Sequence, residues 1–463
     1  MKNEYDNYRN LTDAAEKAME SKTFCLAKWY HANIYFQTGE THSCYHPAPH
    51  KIDIEAIKSN PSAIHNTAFK KEERRQMLTN ERPSGCQYCW NIEDLNKTLI
   101  SDRQIRTGSL YKPERIDEIK SKPKDFNSAL DYVELSFSNL CQFKCGYCHP
   151  KASSTYLNEI KKFGPYDQVK NHRCDIDYFE VYQEEHNPFI EAWWKWWPEL
   201  SKTLKILRIT GGEPLLQKST YKMLDYLNLH PAETLELNVN SNLGARSEII
   251  LKFTECINNL ILNKKIKSFK LFTSVDTWGP QAEYIRTGLN LKSFEENLFL
   301  FLDRTQQPLT IMITFNIFSV VNFSLLLKKI LEWRSIYSEN LYSEHKHRIR
   351  FDISYLKEPL QYDINLLPKD EFMRYMDDHL LFIKKNLDDS RTDRFSFMEY
   401  QRFLRIYEYM QTTVYSDDKL NEGRKDFYNF FSELDRRRDC NLVKTFPEMK
   451  DFFNMCKETA LNS

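Results

Sequence analysis

Three cysteines fall within one short stretch, NLCQFKCGYCHP, where Cys141, Cys145 and Cys148 make a C-x3-C-x2-C spacing. Thiolates on one loop can hold three irons of a [4Fe-4S] cube and leave the fourth iron without a protein donor. An iron left open in this way is a binding site. Taken alone, the spacing would also suit a structural zinc site or inert thiols. Further along, RITGGEPLL carries Gly211, Gly212, Glu213 and Pro214. The glycines expose backbone polar groups to a close ligand, and Glu213 can accept hydrogen bonds from a cationic ammonium. That pairing suits the head of an amino-acid ligand.

A second cysteine group lies upstream. Cys25 and Cys44 flank a hairpin in the arrangement C-x13-G-x4-C, with Gly39 at the turn, and Cys86 and Cys89 follow as the knuckle ERPSGCQYCW. Four thiolates brought together by a hairpin and a knuckle make a closed tetrahedral set, which either zinc or a fully ligated iron-sulfur cluster satisfies. His42 and His46 bracket Cys44 and can replace a thiol in a zinc site, although hairpin-surface positions are the plainer reading. Cys174, Cys256, Cys440 and Cys456 lack ligand spacing and are read as structural.

The elements that must position these residues follow from pattern. The chain has 463 residues, enough for a sizeable core, and 65 basic residues balance 65 acidic ones. No global field therefore recruits nucleic acid or anionic lipid. No apolar leader or spanning run occurs, and eleven cysteines without an export signal favour thiols and metal ligands over a disulfide framework, so a cytoplasmic protein is expected. Residues 20 to 50 read as short strands around the turn Gln37–Glu40, and residues 51 to 78 as charged helix with Lys70 to Arg75 on a solvated face. The stretch YKPERIDEIKSKPKDFNSA reads as a linker. Beyond it come YVELSFSN, LKILRIT, LELNVNSN, FKLFTSVD, LTIMITFNIF and RIRFDISYL, strand-like segments with helical stretches between them. That alternation predicts a parallel sheet with right-handed crossovers and ligands at the carboxyl ends of the strands. Six such strands suit a partial barrel. Trp193, Trp194, Trp196 and Trp197 read as core packing on a helix, Arg436 to Arg438 as helix-surface ion pairs, and the charged helical region from about 368 as ending in an exposed tail.

With both motifs in place, the chain resembles the radical S-adenosylmethionine (SAM) superfamily, whose C-x3-C-x-aromatic-C loop is matched by Cys141, Cys145, Tyr147 and Cys148 and whose GGEP motif by Gly211 to Pro214. The resemblance implies a [4Fe-4S] cluster with SAM chelated at its fourth iron, Tyr147 near the adenine and the GGEP segment on the methionyl amine. It also implies looser SAM contacts from Asn240, Ser241, Ser274, Asp276 and Arg286, with Asn316 weaker still. The C-x13-G-x4-C hairpin resembles the SPASM and twitch auxiliary-cluster domains. Four available cysteines make twitch the closer match, and the N-terminal placement is that of the twitch domain-containing radical SAM proteins.

The fold implied is α/β: a partial (β/α)6 TIM-like barrel at 126–367, a small cysteine-rich twitch-like domain with its linker at 1–125, and a helical region at 368–463. An auxiliary [4Fe-4S] cluster is expected on Cys25, Cys44, Cys86 and Cys89, with zinc as the alternative. The activity implied is reductive cleavage of SAM to a 5′-deoxyadenosyl radical that abstracts hydrogen from a substrate, a peptide or protein being the expectation, with flavodoxin or ferredoxin as reductant. The cyclase of molybdenum-cofactor biosynthesis is a poor match, because the chain ends in ALNS without that family's terminal double glycine and has no C-terminal cysteine triad. The rival reading is a non-catalytic zinc-binding scaffold or interaction protein.

Overall fold

A computed structural model of the chain describes residues 2–95, 100–170, 180–337 and 347–462. Among these residues, nine strands form one sheet. Six of them are the segments read from the sequence: β4 (Tyr132–Ser136), β5 (Ile206–Thr210), β6 (Ala232–Ser241), β7 (Ile266–Ser274), β8 (Leu309–Phe315) and β9 (Ile349–Tyr355). They lie in sequence order, and each pairs in parallel with the next. Helices such as Lys218–Leu229, Ser247–Leu262, Leu291–Arg304 and Ser319–Ile336 make the crossovers.

Side-chain alternation explains the layering. Leu207, Ile209, Leu237, Val239, Phe269, Leu271, Ile311 and Phe351 are buried, while the residues between them, including Arg208, Asn240, Lys270, Phe272, Met312 and Arg350, are half-buried. One sheet face thus carries the apolar core and the other is polar and partly open.

The sheet continues into the N-terminal region. Strand β1 (His31–Tyr35) pairs in parallel with β4, setting His31 beside Tyr132 and Tyr35 beside Ser136. Strand β2 (Glu40–His42) returns antiparallel to β1, and β3 (His50–Lys51) is antiparallel to β2. The expected turn lies between β1 and β2, where Gly39 takes φ +60° and a Cβ would stand 2.3 Å from the Phe189 ring. Beneath these strands a smaller apolar core gathers Phe24, Trp29, Trp90, Leu110, Ile116 and Ile119 around Cys25 and Cys86.

Four local readings are corrected. Lys70, Glu73 and Arg74 are buried rather than solvated, on the helix Ala68–Leu78. Lys70 Nζ donates to Thr41 Oγ1 at 2.8 Å and Arg74 Nε to the Lys28 carbonyl at 2.8 Å, so the charged groups are satisfied internally. The linker contains the helix Pro113–Ser121, whose Ile116 and Ile119 reach the small core. Arg436 pairs with Glu433 at the surface, but Arg438 is buried against Glu159, 3.0 Å away on the helix Ser154–Phe163. The chain's last helix, Lys450–Leu461, buries Phe452 and Cys456 instead of trailing as a tail. Trp193, Trp196 and Trp197 are core as expected, Trp193 and Trp197 having no exposure, and Trp194 is half-buried against that core. Among the described residues no helix is long and apolar enough to cross a membrane.

Candidate metal and cofactor site

The loop carrying Cys141, Cys145 and Cys148 leaves the carboxyl end of β4 and is pinned on all sides. Gly146 N donates to the Ile285 carbonyl at 3.1 Å and Lys144 N to that of Thr287 at 2.9 Å. Gln142 Nε2 donates to Asn242 Oδ1 at 3.0 Å, and Asn242 Nδ2 lies 3.8 Å from Cys141 Sγ. Gly146 is required, since a Cβ there would meet the Tyr362 hydroxyl at 2.1 Å. Cys141 is buried, whereas Cys145 and Cys148 are half-buried. Burial pushes all three thiols up, Cys148 to about 12.

The GGEP segment, at the end of β5, is bound to the same loop through its backbone. Gly212 N donates to the Ser138 carbonyl at 3.1 Å and Glu213 N to that of Leu140 at 2.7 Å. A Cβ on Gly212 would stand 2.3 Å from the Leu140 oxygen. Pro214 opens the short turn that follows, and Glu213 caps it. The Glu213 side chain, with no exposure, accepts N–H bonds from Leu215 at 3.0 Å and Asn242 at 2.6 Å. Burial nevertheless outweighs these donors and raises its carboxyl to about 7.

The weaker candidates divide. Asp276 and Arg286 meet each other in a buried bidentate pair at 2.9 and 3.0 Å, and Asp276 also accepts the Tyr147 hydroxyl at 2.6 Å and Thr314 N at 2.9 Å. Asp276 therefore fixes Tyr147 and Arg286 on the cysteine loop's flank. Asn240 accepts Arg208 Nε at 3.0 Å, and Ser241 Oγ accepts Leu243 N at 3.0 Å. Ser274 closes β7 on the half-buried face. Asn316 is a turn cap, accepting Phe318 N at 3.1 Å and donating to the Thr314 carbonyl at 2.9 Å.

The upstream thiols also converge. Cys25, Cys44, Cys86 and Cys89 line one small cavity together with Lys28, His46, Asp102, Arg103 and Arg106. Cys25 precedes β1 and Cys44 follows the returning β2, which places this set at the amino ends of the parallel strands, opposite the Cys141–Cys148 loop. Five strand residues span about 16 Å. Burial pushes Cys86 and Cys89 up to about 12. Among the described residues no group of three or more His, Cys, Asp or Glu side chains is arranged to hold a single metal ion.

His42 is not on the hairpin surface: it is 1% exposed and lies 3.5 Å from Glu73. His46 is half-buried, bonded to Asp102 at 2.7 Å and stacked on Tyr88 at 3.8 Å. Of the cysteines without ligand spacing, Cys456 is buried, Cys440 donates to Asp435 at 3.3 Å, and Cys174 lies outside the described residues. Lys28, Arg103 and Arg106 were missed by sequence reasoning, because only the fold brings them to the thiols.

No family model matches the chain. A GTP 3′,8-cyclase of Helicobacter pylori is 26% identical over 117 residues, which are 25% of this chain and 29% of that protein. A GTP 3′,8-cyclase of Agrobacterium fabrum is 24% identical over 177 residues, 37% of this chain and 44% of that protein. The chain thus matches less than half the length of each relative. These relatives are radical SAM enzymes, and the likeness supports the radical SAM superfamily and its chemistry.

Proposed function

We propose that the chain is a radical SAM enzyme, with Cys141, Cys145 and Cys148 holding a [4Fe-4S] cluster and SAM bound beside it. One observation carries this reading: the three-thiol loop is hydrogen-bonded, backbone to backbone, to the Gly212–Glu213 segment that would receive the amino-acid end of SAM. The donor chemistry fits the group, three thiols being one short of saturating a cube. When bound, the cluster and SAM supply a reductively generated 5′-deoxyadenosyl radical for hydrogen abstraction from substrate.

The protein's own residues orient and enclose. Glu213 keeps lone pairs for the methionyl ammonium after accepting two backbone N–H groups, and Asp276 holds Tyr147 and Arg286 in fixed positions on the loop's flank. Gly211, Pro214, Asn240, Ser241 and Ser274 complete the proposed SAM contacts. The ordered parallel sheet is read as a partial (β/α)6 TIM-like barrel whose half-buried polar face is the lumen, and the N-terminal region as twitch-like.

Cys25, Cys44, Cys86 and Cys89 are assigned an auxiliary [4Fe-4S] cluster, with zinc as the alternative. Their convergence on one cavity fits a four-thiolate group. The substrate proposed is a peptide or protein, the reductant a flavodoxin or ferredoxin, and the compartment the cytoplasm.

Anaerobic reconstitution with iron and sulfide, followed by dithionite and SAM, is expected to release 5′-deoxyadenosine, and Cys148→Ala to abolish it. Product formation by the Cys148→Ala protein would reject the ligand assignment.

A further inference from the structure

The cavity lined by Cys25, Cys44, Cys86 and Cys89 carries three cationic side chains, Lys28, Arg103 and Arg106. Two are neutralised by carboxylates. Lys28 Nζ lies 2.6 Å from Glu73 Oε2, and Arg103 lies 2.8 Å from both Glu16 and Glu93.

Arg106 has no such partner among the described residues. Its Nη1 donates to His31 Nδ1 at 3.2 Å, its Nη2 to the Tyr45 hydroxyl at 2.6 Å, and its guanidinium lies 4.9 Å over the Tyr45 ring. Its Nε is buried without an acceptor. Burial, reinforced by Arg106 and Arg115, holds His31 down at about 3, so the ring that Arg106 meets is neutral. The lining's carboxylate, Asp102, one helical turn before Arg106, is bonded to His46 at 2.7 Å and acts on Arg106 through space without forming an ion pair with it.

A guanidinium stays protonated at any working pH, and a half-buried cation whose Nε–H is shut off from water without an acceptor gains from a nearby anion. A four-thiolate metal group supplies one. Four thiolates outweigh the charge of a zinc ion, and an iron-sulfur cluster gains a further negative charge on reduction.

Building on the proposal that these thiols hold a metal group, we infer that Arg106 is that group's cationic partner, with the Nε–H as its free donor, and that it favours the more negative, reduced state. Arg106 is a positioning residue in a second sense. It grips His31, the first residue of β1, whose ring centroid lies 5.1 Å from that of Tyr132 at the start of β4. One side chain thereby joins the thiol cavity to the first of the six sequential strands.

The test uses the full chain with Cys141, Cys145 and Cys148 replaced by Ala, so that only the N-terminal group reports. After anaerobic reconstitution with iron and sulfide, reduction is followed by electron paramagnetic resonance across a series of set potentials. Arg106→Gln is expected to load the same iron and to show a reduction equilibrium about tenfold less favourable, 59 mV for one electron, while Arg106→Lys keeps most of the parent's potential. An unchanged potential in Arg106→Gln overturns the inference. If Arg106→Gln fails to load and Arg106→Lys loads, the need for charge is supported; failure of both overturns it. A parent that binds zinc instead of iron sinks the auxiliary-cluster reading alone, and zinc loss to a chelator then decides. Loss at least tenfold faster in Arg106→Gln but not in Arg106→Lys supports the pairing, and equal rates overturn it. A parent that binds neither metal removes both readings.

Discussion

Glu213 is enclosed so completely that two backbone N–H donors do not keep its carboxyl acidic, and it rises from 4.5 to about 7. A proton retained in the fold but released on unfolding stabilises the native state. The contribution is full below about 4.5, falls as pH rises towards about 7 and is gone above it, a swing on the order of 3 kcal/mol. The metal-free protein should therefore lose thermal stability between pH 5 and pH 8, and Glu213→Gln should show a smaller loss over the same interval in scanning calorimetry. An equal loss in both proteins would show that Glu213 is ionised in the fold. The residue was legible in the sequence because GGEP is a contiguous motif. Its raised carboxyl was not, since the enclosure that raises it forms only in the fold, and the Asn242 and Ser241 donors that partly offset it lie some thirty residues further on. Asp276 and Arg286 were likewise visible as separate candidates, but their mutual pairing belongs to the folded loop.

Helix faces show how period outranks residue type. Lys70, Glu73, Arg74 and Met77 follow i, i+3, i+4, i+7, the spacing of a buried stripe, and all four are buried. Reading them as solvated weighed charge above period. The same holds for Arg438, which was grouped with its exposed neighbour Arg436, yet its helix, Asp417–Arg438, brings it against Glu159 with side-chain exposures of 1% and 2%. Removing one partner of such a pair leaves the other charge buried, at a cost of about 3–5 kcal/mol. Arg438→Met is thus expected to lower the thermal midpoint by several degrees, whereas Arg436→Met should change it little. A midpoint within a degree of wild type for Arg438→Met would mean that Glu159 is satisfied by Lys144, 2.6 Å away, alone. The strands were the most legible elements, because each alternates apolar and polar residues between helical stretches.

At the scale of the molecule, the sequence suggested an N-terminal unit set apart by a linker, but the strand pairing across it was hidden because β1 and β4 are about a hundred residues apart. Register between distant strands leaves no local mark. A fragment beginning at residue 126 would expose the whole edge of β4, and it should aggregate where the full chain stays monodisperse in size-exclusion chromatography. A monodisperse fragment would show that β1 is dispensable to the sheet. The unequal enclosure of the two thiol sets has a consequence for survival in air. In the upstream set only Cys44 is half-buried, Cys25, Cys86 and Cys89 being 6–8% exposed, whereas in the other set Cys145 and Cys148 are both half-buried and only Cys141 is buried. With the proposed metal groups in place, an oxidant diffusing from bulk water meets two of three thiols at the C-x3-C-x2-C loop against one of four upstream, and a timed metal assay is expected to show the loop's group emptied first.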